Sequence, residues 1–330
     1  MVKYIFRRIL YMILTLALLS VITFLVVQLP AGDFVDTLAM KYAATGKVVD
    51  QIFLNNLRHQ FGLDQPVYVQ FFRWITNLLS GNPGWSFQLQ KPVAVVIGER
   101  IQLTAFISLS TMFFTYLVAI PIGIYSATHQ YTASDYAFMF VGFIGMAMPN
   151  FLLALILIMV FFNLGIKTGG LFSPEFMRAA WSIPRFLNLL EHMPLPILII
   201  GLSGTAGLIR TVRATLLDEL GKQYVITARA KGVSEWKLIF KYPVRVALNP
   251  IVSTIGWSLA AIVGGGVIVE LVLGLPTTGP MLYNAILSED MFLANSLLLF
   301  LSALTVIGTF ISDILLVIVD PRIRFTSREG

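Results

Sequence analysis

Side chains that perform chemistry in enzymes are scarce in this sequence. Its three histidines, His59, His129 and His192, lie outside the uncharged stretches or at their edges, and none has the spacing of a metal pair such as H-E-x-x-H. The absence of cysteine excludes disulfides, thiolate metal sites and cysteine nucleophiles. No glycine-rich phosphate loop with its lysine and serine or threonine occurs. We predict surface histidines, no catalytic or metal site and no cofactor in this chain. An intramembrane enzyme is the alternative, and the purified chain would then turn over a substrate.

Polar residues within apolar stretches could bind a solute without transforming it. The candidates for lining such a route are Asn150, Ser253, Thr254 and Ser258, although most Ser and Thr in membrane helices bond their own backbone. These residues can act only if the surrounding chain places them beside a common passage.

The composition shows what kind of structure must position them. Hydrophobic residues make up 57% of the chain and charged residues only 12%, about half the charged share of a soluble domain. Apolar stretches that can cross a bilayer with roughly 20 residues must be helices, because lipid leaves unpaired backbone groups unsatisfied. Six such stretches occur: Ile9 to Leu29, Ile101 to Ala127, Tyr136 to Ile166, Met193 to Ile209, Val246 to Val269, and Met291 to Ser312, continuing past Asp313 to Val319. We predict an all-α integral membrane protein with six transmembrane helices.

Basic residues set the predicted orientation. The first apolar stretch exceeds the ~7 to 15 residues of a signal-peptide core, so we expect it to be retained. Placing Lys3, Arg7 and Arg8 in the cytoplasm puts the loop 210–245 and the tail inside as well, and these segments hold fourteen of the 23 Lys and Arg. The longer external segments hold nine, as the positive-inside rule requires. Both termini are predicted to be cytoplasmic.

Asp313 is the one carboxylate well within an apolar stretch. An ionised acid there costs roughly 2.5 to 3.5 kcal/mol on insertion scales, so a partner is expected. The fourth or fifth helix, or interfacial water, could supply it. A structural anchor is favoured over proton coupling, because no chain of ionisable groups is visible.

The external segment 31–100 is predicted to contain a small helical subdomain. Asp64, Gln65 and Pro66 form a helix start, Gly81 suits its stop, and apolar residues recur between them at helical spacing, namely Tyr68, Phe71, Phe72, Ile75 and Leu79. A structural cap over the membrane helices and a docking surface both remain open for it. The other predicted regions are 1–30, a core over 101–320 and a tail over 321–330.

The loop 210–245 carries eight basic residues and a helical pattern. Ala214 to Lys231 favour helix, Gly232 supplies a stop, and Ser234 can cap a second short helix. On that helix Trp236, Ile239 and Phe240 share one face, with Lys237 and Lys241 on the other. The apolar face must be buried, and anionic lipid headgroups and a protein partner are equally open.

The loop sequence QYVITARAKGVSEWKLIFKYPVRVALNPIV resembles the coupling loop, or EAA loop, of ABC importer permeases in the peptide and nickel branch. KYIFRRIL, LPAGD, FGLDQPVYVQFFRW, IPIGIYSA and VDPRIRF resemble the same family in the same order. Ile226 and Thr227 stand where the general motif has Glu and Ala, so the first motif carboxylate has no counterpart here.

The resemblance implies the type I importer permease fold in a bacterial or archaeal inner membrane. It also implies a second homologous permease subunit, two ATPase subunits that bind ATP and Mg²⁺, and an external substrate-binding protein. Ala228 and Gly232 would let the loop approach an ATPase groove closely, beside Ser234, with Arg229, Lys231 and Glu235 at its rim. The solute would be a peptide, an oligosaccharide or a nickel complex.

Glycines and prolines within the predicted helices indicate where they pack or bend. Gly201, Gly204, Gly207 and the run 264–266 remove side chains at helix contacts, which serves either packing or a hinge. Pro121 and Pro149 are predicted to bend their helices. A secondary transporter or channel is the alternative function, and it should show internal repeats, broken helices or intramembrane charges.

Overall fold

The computed structural model describes residues 2–30, 32–47 and 50–319, so the predicted tail 321–330 lies outside the described residues. The described chain is almost entirely helical, with one short antiparallel pair of strands, β1 (Trp85–Ser86) and β2 (Lys91–Pro92). The helices are α1 (Val2–Val27), α2 (Phe34–Ala44), α3 (Gln51–Phe61), α4 (Val67–Leu79), α5 (Val93–Thr128), α6 (Ala133–Ala147), α7 (Asn150–Asn163), α8 (Ile183–His192), α9 (Pro194–Leu220), α10 (Gln223–Ala230), α11 (Glu235–Lys241), α12 (Pro243–Ala247), α13 (Asn249–Gly265), α14 (Val267–Val272), α15 (Thr278–Leu287) and α16 (Met291–Val319).

All six predicted apolar stretches are helical, but they are not all uninterrupted helices. Among the described residues, α1, α5 and α16 are long and apolar enough to cross a membrane singly. Two bent pairs, α6 with α7 and α8 with the start of α9, raise the total to five spans if each pair is counted as one. The fifth predicted stretch is divided among α12, α13 and α14. The prediction of six uninterrupted helices is therefore wrong. The number of membrane crossings stays a prediction.

The third predicted stretch is broken at Pro149. Helices α6 and α7 meet at an angle of 109°, so the prediction of one helix from Tyr136 to Ile166 is wrong, whereas the predicted bend at Pro149 is confirmed. Met148 is extended, with φ −93° and ψ 134°. Proline disfavours helical geometry in the preceding residue and has no N–H to donate. Pro121, in contrast, lies inside α5, which continues to Thr128.

The described residues fall into two compact units. One unit comprises Ile9–Thr104 and Pro276–Leu304, and the other comprises Ala105–Leu275 together with the two terminal segments up to Arg8 and from Thr305. The four regions predicted from the sequence are defined by the side of the membrane on which they lie. The two units do not test them, so they stay a prediction.

In the first unit, α4 confirms the predicted helix, but only part of the predicted apolar pattern, Phe71 and Ile75, packs on the core. Trp74 is almost fully buried and packs on Phe24 of α1, with ring centroids 5.6 Å apart. Phe71 also lies against Phe24, at 5.4 Å. Tyr68, Phe72 and Leu79, which belong to the same predicted pattern, are 66%, 62% and 82% exposed. The helix has apolar residues on both sides, so spacing alone did not select the packed one.

A cation–carboxylate network holds the outer helices of this unit. Asp33 caps α2 and forms a capping box with Asp36, and Arg58 of α3 bonds to both carboxylates, with its Nε 2.9 Å from Asp33. These bonds raise the pKa of the Arg58 guanidinium, chiefly through Asp33. The segment predicted to be external is therefore tied together and is not a loose linker.

In the second unit, Asp313 has the partner that its position demands. Its carboxylate lies 2.9 Å from the guanidinium of Arg8 on α1. The prediction of a partner is confirmed, but its assignment to the fourth or fifth helix is wrong. The pair requires the start of α1 and the end of α16 to lie at the same level.

Helix α13 packs on α16 through two glycines that the sequence analysis did not select. A Cβ on Gly256 would overlap the carbonyl group of Gly308, and the Gly256 N–H donates to Ser312 Oγ at 2.7 Å. Of the glycines we did select, Gly201 is close to Phe114, since a Cβ there would lie 3.0 Å from its ring, whereas a Cβ on Gly207 or Gly264 would meet nothing within 4 Å. Close packing therefore depends on specific positions and not on glycine content.

We predict that Gly256→Ala destabilises the protein by about 1–3 kcal/mol, because the added methyl group overlaps backbone atoms that cannot move alone. Gly264→Ala, on the same helix, should be neutral or slightly stabilising, since alanine favours helix over glycine. Thermal unfolding midpoints in detergent would measure both. Equal midpoints for the two variants would contradict the close α13–α16 contact.

Candidate functional site

Two short helices, α10 and α11, and the turn between them form a surface feature that we call the elbow, residues 222–242. Helix α10 ends in a Schellman motif, in which the N–H of Val233 donates to Ala228 at 3.3 Å and that of Gly232 to Arg229 at 3.0 Å. Gly232 takes the left-handed conformation, with φ +77°, which glycine adopts at little cost. The predicted stop at Gly232 is confirmed.

Two local predictions for this segment are wrong. The predicted helix from Ala214 to Lys231 is interrupted, because α9 ends at Leu220 and α10 begins at Gln223, with Gly221 between them. Ser234 occupies the N-cap position of α11 but its side chain makes no capping bond. Its carbonyl oxygen instead accepts a bond from the N–H of Leu238, at 2.8 Å.

Arg229 and Glu235 join the two arms of the elbow. Arg229 Nε lies 2.5 Å from Glu235 Oε1, and Nη2 lies 3.1 Å from Oε2. Hydrogen bonding by Arg229 lowers the pKa of the Glu235 carboxyl, so the pair is ionised at neutral pH. Both side chains are about half exposed, so the pair shapes the turn without adding much stability. Ala228 is partly buried and Lys231 is exposed.

The elbow is anchored by one apolar face and presents another. Leu238 is fully buried and Ile239 packs on a cluster formed by Ala127, Leu216, Val244 and Ala247. Trp236 and Phe240 are 75% and 43% exposed, with ring centroids 4.3 Å apart. The predicted common face of Trp236, Ile239 and Phe240 is therefore divided between the core and the surface.

Trp236 and Phe240 form one side of an apolar groove of 620 Å³. The other side includes Pro121 and Tyr125 at the end of α5 and Phe138 in α6. Lys237 and Lys241 remain exposed on the elbow. The elbow thus presents exposed aromatic side chains with lysines beside them. Its opposite face is packed against the neighbouring helices.

Beside α9 lies a second cavity, of 450 Å³, which we call the polar cavity. Its described lining residues are Thr115, Tyr116, Asn150, Ile200, Gly204, Gly207, Leu208, Arg210, Thr211, Thr254, Ser258, Ala261, Gly266 and Val269. Three of the four predicted route residues, Asn150, Thr254 and Ser258, are therefore brought together. Ser253 is not, because it is exposed elsewhere on α13 and its hydroxyl donates to the Pro250 carbonyl at 2.5 Å.

The polar cavity depends on local features of several helices. The break at Pro149 makes Asn150 the first residue of α7, and the glycines of α9 leave part of the cavity wall without side chains. Tyr116 donates to Ser258 Oγ at 3.4 Å. Sequence reasoning missed Arg210 because it counted this residue as loop, whereas α9 continues to Leu220.

A helical pattern would have revealed this wall of the cavity. Residues 204, 207, 208 and 211 recur at spacings of three and four along α9, as do residues 254, 258 and 261 along α13. Such spacing places residues on one face of a helix.

A buried ion pair was also missed. Asp135 of α6 is 2% exposed, and Arg213 of α9 donates to it through Nε at 3.2 Å and Nη2 at 3.1 Å. Asp135 escaped notice because it precedes the predicted span by one residue. The pair joins α6 to α9, one helical turn beyond Arg210 of the polar cavity.

Each of the three histidines has a local partner of its own. His59 lies 2.8 Å from Asp64, His129 stacks on Tyr125 with centroids 4.4 Å apart, and His192 bonds the Asn188 carbonyl at 2.7 Å. His192 is 5% exposed, so the prediction of a surface residue is wrong for it. Within the described ranges, no three His, Asp or Glu side chains are grouped to hold a metal.

Comparison with known proteins accounts for this arrangement. The sequence profile of the binding-protein-dependent transport system inner membrane components matches residues 119–325, and that of the N-terminal region of such membrane components matches residues 1–110. The oligopeptide transport system permease protein AppB of Bacillus subtilis is 33% identical, over 98% of this chain and 100% of that protein. The chain belongs to this family.

Other relatives agree with that assignment. The glutathione transport system permease protein GsiC of Escherichia coli is 30% identical over 98% of this chain and 100% of its own length. The structure matches that of the inward-facing MetNI methionine ABC transporter with a TM-score of 0.53, covering 68% of this chain and 96% of that one. The identity is 17%, so this match shows the fold alone. The predicted ABC importer permease family and its type I, all-α fold are confirmed, and the chain is a multi-pass membrane protein.

We predict that the two ion pairs of the permease differ sharply in their effect on stability. Arg213→Ala leaves the buried Asp135 without its partner and should cost about 3 kcal/mol. Arg229→Ala removes an exposed pair and should change the unfolding midpoint little. Unfolding midpoints in detergent would measure both variants, and a loss of stability in Arg229→Ala that matched Arg213→Ala would contradict this difference.

Proposed function

We propose that this permease forms half of the membrane pathway of an ATP-driven peptide importer and receives force through its elbow. The observation that carries the proposal is the family match along nearly the whole chain, joined to a polar cavity within the membrane helices. AppB is named for oligopeptides and GsiC for glutathione, which favours a peptide over an oligosaccharide or a nickel complex.

The elbow is the surface that we assign to an ATPase subunit. Its exposed Trp236 and Phe240 need burial, and aromatic side chains are enriched in the cores of protein interfaces. Ile239 of α11 packs on a cluster that contains Leu216 of α9, and the Schellman turn joins α10 to α11, so a push on the elbow would reach a helix that lines the polar cavity. Gly232 has open space around it, which permits close approach of a partner.

The remaining components are those that the family and the missing phosphate loop imply. Its sequence has no phosphate loop, so ATP and Mg²⁺ would bind to two partner ATPase subunits. A second, related permease would close the polar cavity from its open side, and a binding protein would deliver the solute from outside. The chain would lie in an inner membrane with both termini in the cytoplasm, and the Arg8–Asp313 pair supports their common side.

A secondary transporter is the alternative class that the sequence left open. The broken pair of helices α6 and α7 is a feature of such carriers, although the family match favours the importer. A proton-driven carrier would continue uptake when ATP is removed and a proton gradient is imposed.

We predict that uptake requires ATP. The copurified complex, reconstituted in vesicles with its binding protein, should accumulate radiolabelled trialanine only when ATP reaches the cytoplasmic face. An imposed proton gradient without ATP should give no accumulation above that of protein-free vesicles. Accumulation driven by the gradient alone would establish the carrier instead.

We predict that Gly232→Val separates ATP hydrolysis from uptake, whereas Gly232→Asn does not. A branched residue at φ +77° costs roughly 1–2 kcal/mol and would distort the turn, while asparagine tolerates this conformation. Both variants should insert normally, since a Cβ at this position would meet nothing within 4 Å. The ratio of trialanine taken up to ATP hydrolysed would measure coupling, and an unchanged ratio in Gly232→Val would refute the role of the elbow.

A further inference from the structure

Within the described residues, the lining of the polar cavity includes an exposed cation without a counterion. Arg210 lies on its wall, and no hydrogen bond or ion pair joins its side chain to any residue in the described ranges. Two other arginines of the same unit are paired, Arg8 with Asp313 and Arg213 with Asp135. No aspartate or glutamate is among the described residues that line the cavity, so the formal charge of this lining is positive.

Other donors face the same space without an acceptor. The amide of Asn150 makes no side-chain hydrogen bond to the described residues, and the hydroxyl of Ser258 accepts from Tyr116, which leaves its own proton to donate. Asn150 is also the first residue of α7, and the N-terminal end of a helix carries a partial positive charge. The described lining therefore has a positive formal charge with free hydrogen-bond donors beside it.

From these features we infer that the polar cavity binds a solute through a carboxylate, with Arg210 as the cationic recognition residue. A guanidinium matches a carboxylate in geometry and charge. The inference rests on the proposed function and narrows it, because a peptide with a free C-terminal carboxylate fits this cavity and a cationic nickel complex does not.

A phosphate of an anionic lipid has similar chemistry and must be distinguished. Long basic side chains near helix ends often extend to lipid headgroups. Arg210, however, shares with Asn150 and Ser258 the wall of a cavity of 450 Å³, a volume in the range of small-molecule binding sites. We therefore assign the site to the solute and treat occupation by lipid as an outcome of the test.

The absence of cysteine from this chain permits a direct measurement of the charge in the cavity. Ser258→Cys would place a single thiol on its wall, in the intact complex in phosphatidylcholine vesicles. Two methanethiosulfonate reagents would modify this thiol, one with an anionic sulfonatoethyl group and one with a cationic trimethylammonium-ethyl group. Mass spectrometry would follow the modification of this chain. The ratio of their rates, normalised to a free thiol, reports the local potential.

Arg210→Gln, introduced together with Ser258→Cys, should lower the ratio of the anionic to the cationic modification rate about tenfold. A single charge in a cleft changes the local concentration of ions about tenfold. Arg210→Lys should restore most of the preference. Ser253→Cys, on the same helix but outside the cavity, is the matched control, and its rate ratio should show no dependence on Arg210. A rate ratio for Ser258→Cys that is unchanged by Arg210→Gln would overturn the inference.

Vesicles that contain phosphatidylglycerol separate the two sources of anion. A preference that persists in them supports the solute site. If the anionic lipid lowers the ratio to that of Arg210→Gln, a lipid phosphate occupies the site and the inference fails.

Uptake supplies an independent test. Arg210→Gln should reduce ATP-dependent uptake of trialanine about tenfold, through the loss of a charged hydrogen bond, and Arg210→Lys should recover much of it. Normal uptake by Arg210→Gln would overturn the inference but leave the proposed importer intact. If the native complex showed no ATP-dependent uptake, the proposed function would be wrong. The ratio of modification rates would still show whether Arg210 makes the cavity positive.

Discussion

The structure depends on the need to satisfy every backbone polar group inside a membrane. Lipid offers no hydrogen bonds, so non-helical backbone is tolerated at that depth only inside protein or beside a polar cavity. The break between α6 and α7 meets this requirement, because Asn150, the first residue after Pro149, lies on the wall of the polar cavity. The proline that interrupts the helix and the polar cavity are thus parts of one arrangement.

The same low polarity explains how charges are distributed. Asp313 and Asp135 each have an arginine partner, and the two pairs join α1 to α16 and α6 to α9. Arg210 has no such carboxylate among the described residues, although it lies only three residues before Arg213 on the same helix. A paired arginine fixes the position of a helix, whereas an unpaired arginine beside a cavity can bind an anion.

At the elbow, one face of α11 packs on neighbouring helices and the opposite face is exposed. Ile239 packs on the cluster at the ends of α5, α9 and α12 and Leu238 is fully buried, while Trp236 and Phe240 face the surface. The Schellman turn at Gly232 and the Arg229–Glu235 pair set the angle between the two arms. A partner that presses on the aromatic pair would therefore act on α9, which passes along the polar cavity.

The sequence by itself determined that the chain lies in lipid, that its apolar stretches are helical and that it turns at Gly232, because these follow from composition and local pattern. Its motifs also resembled those of the transporter family. It could not select which face of α4 is buried, pair Gly256 with Gly308, or find Arg8 as the partner of Asp313, since each requires residues distant in sequence to meet. Arg210 makes the same point: its type suggests a basic loop, and only the assembled helices place it in a cavity whose described walls carry no carboxylate.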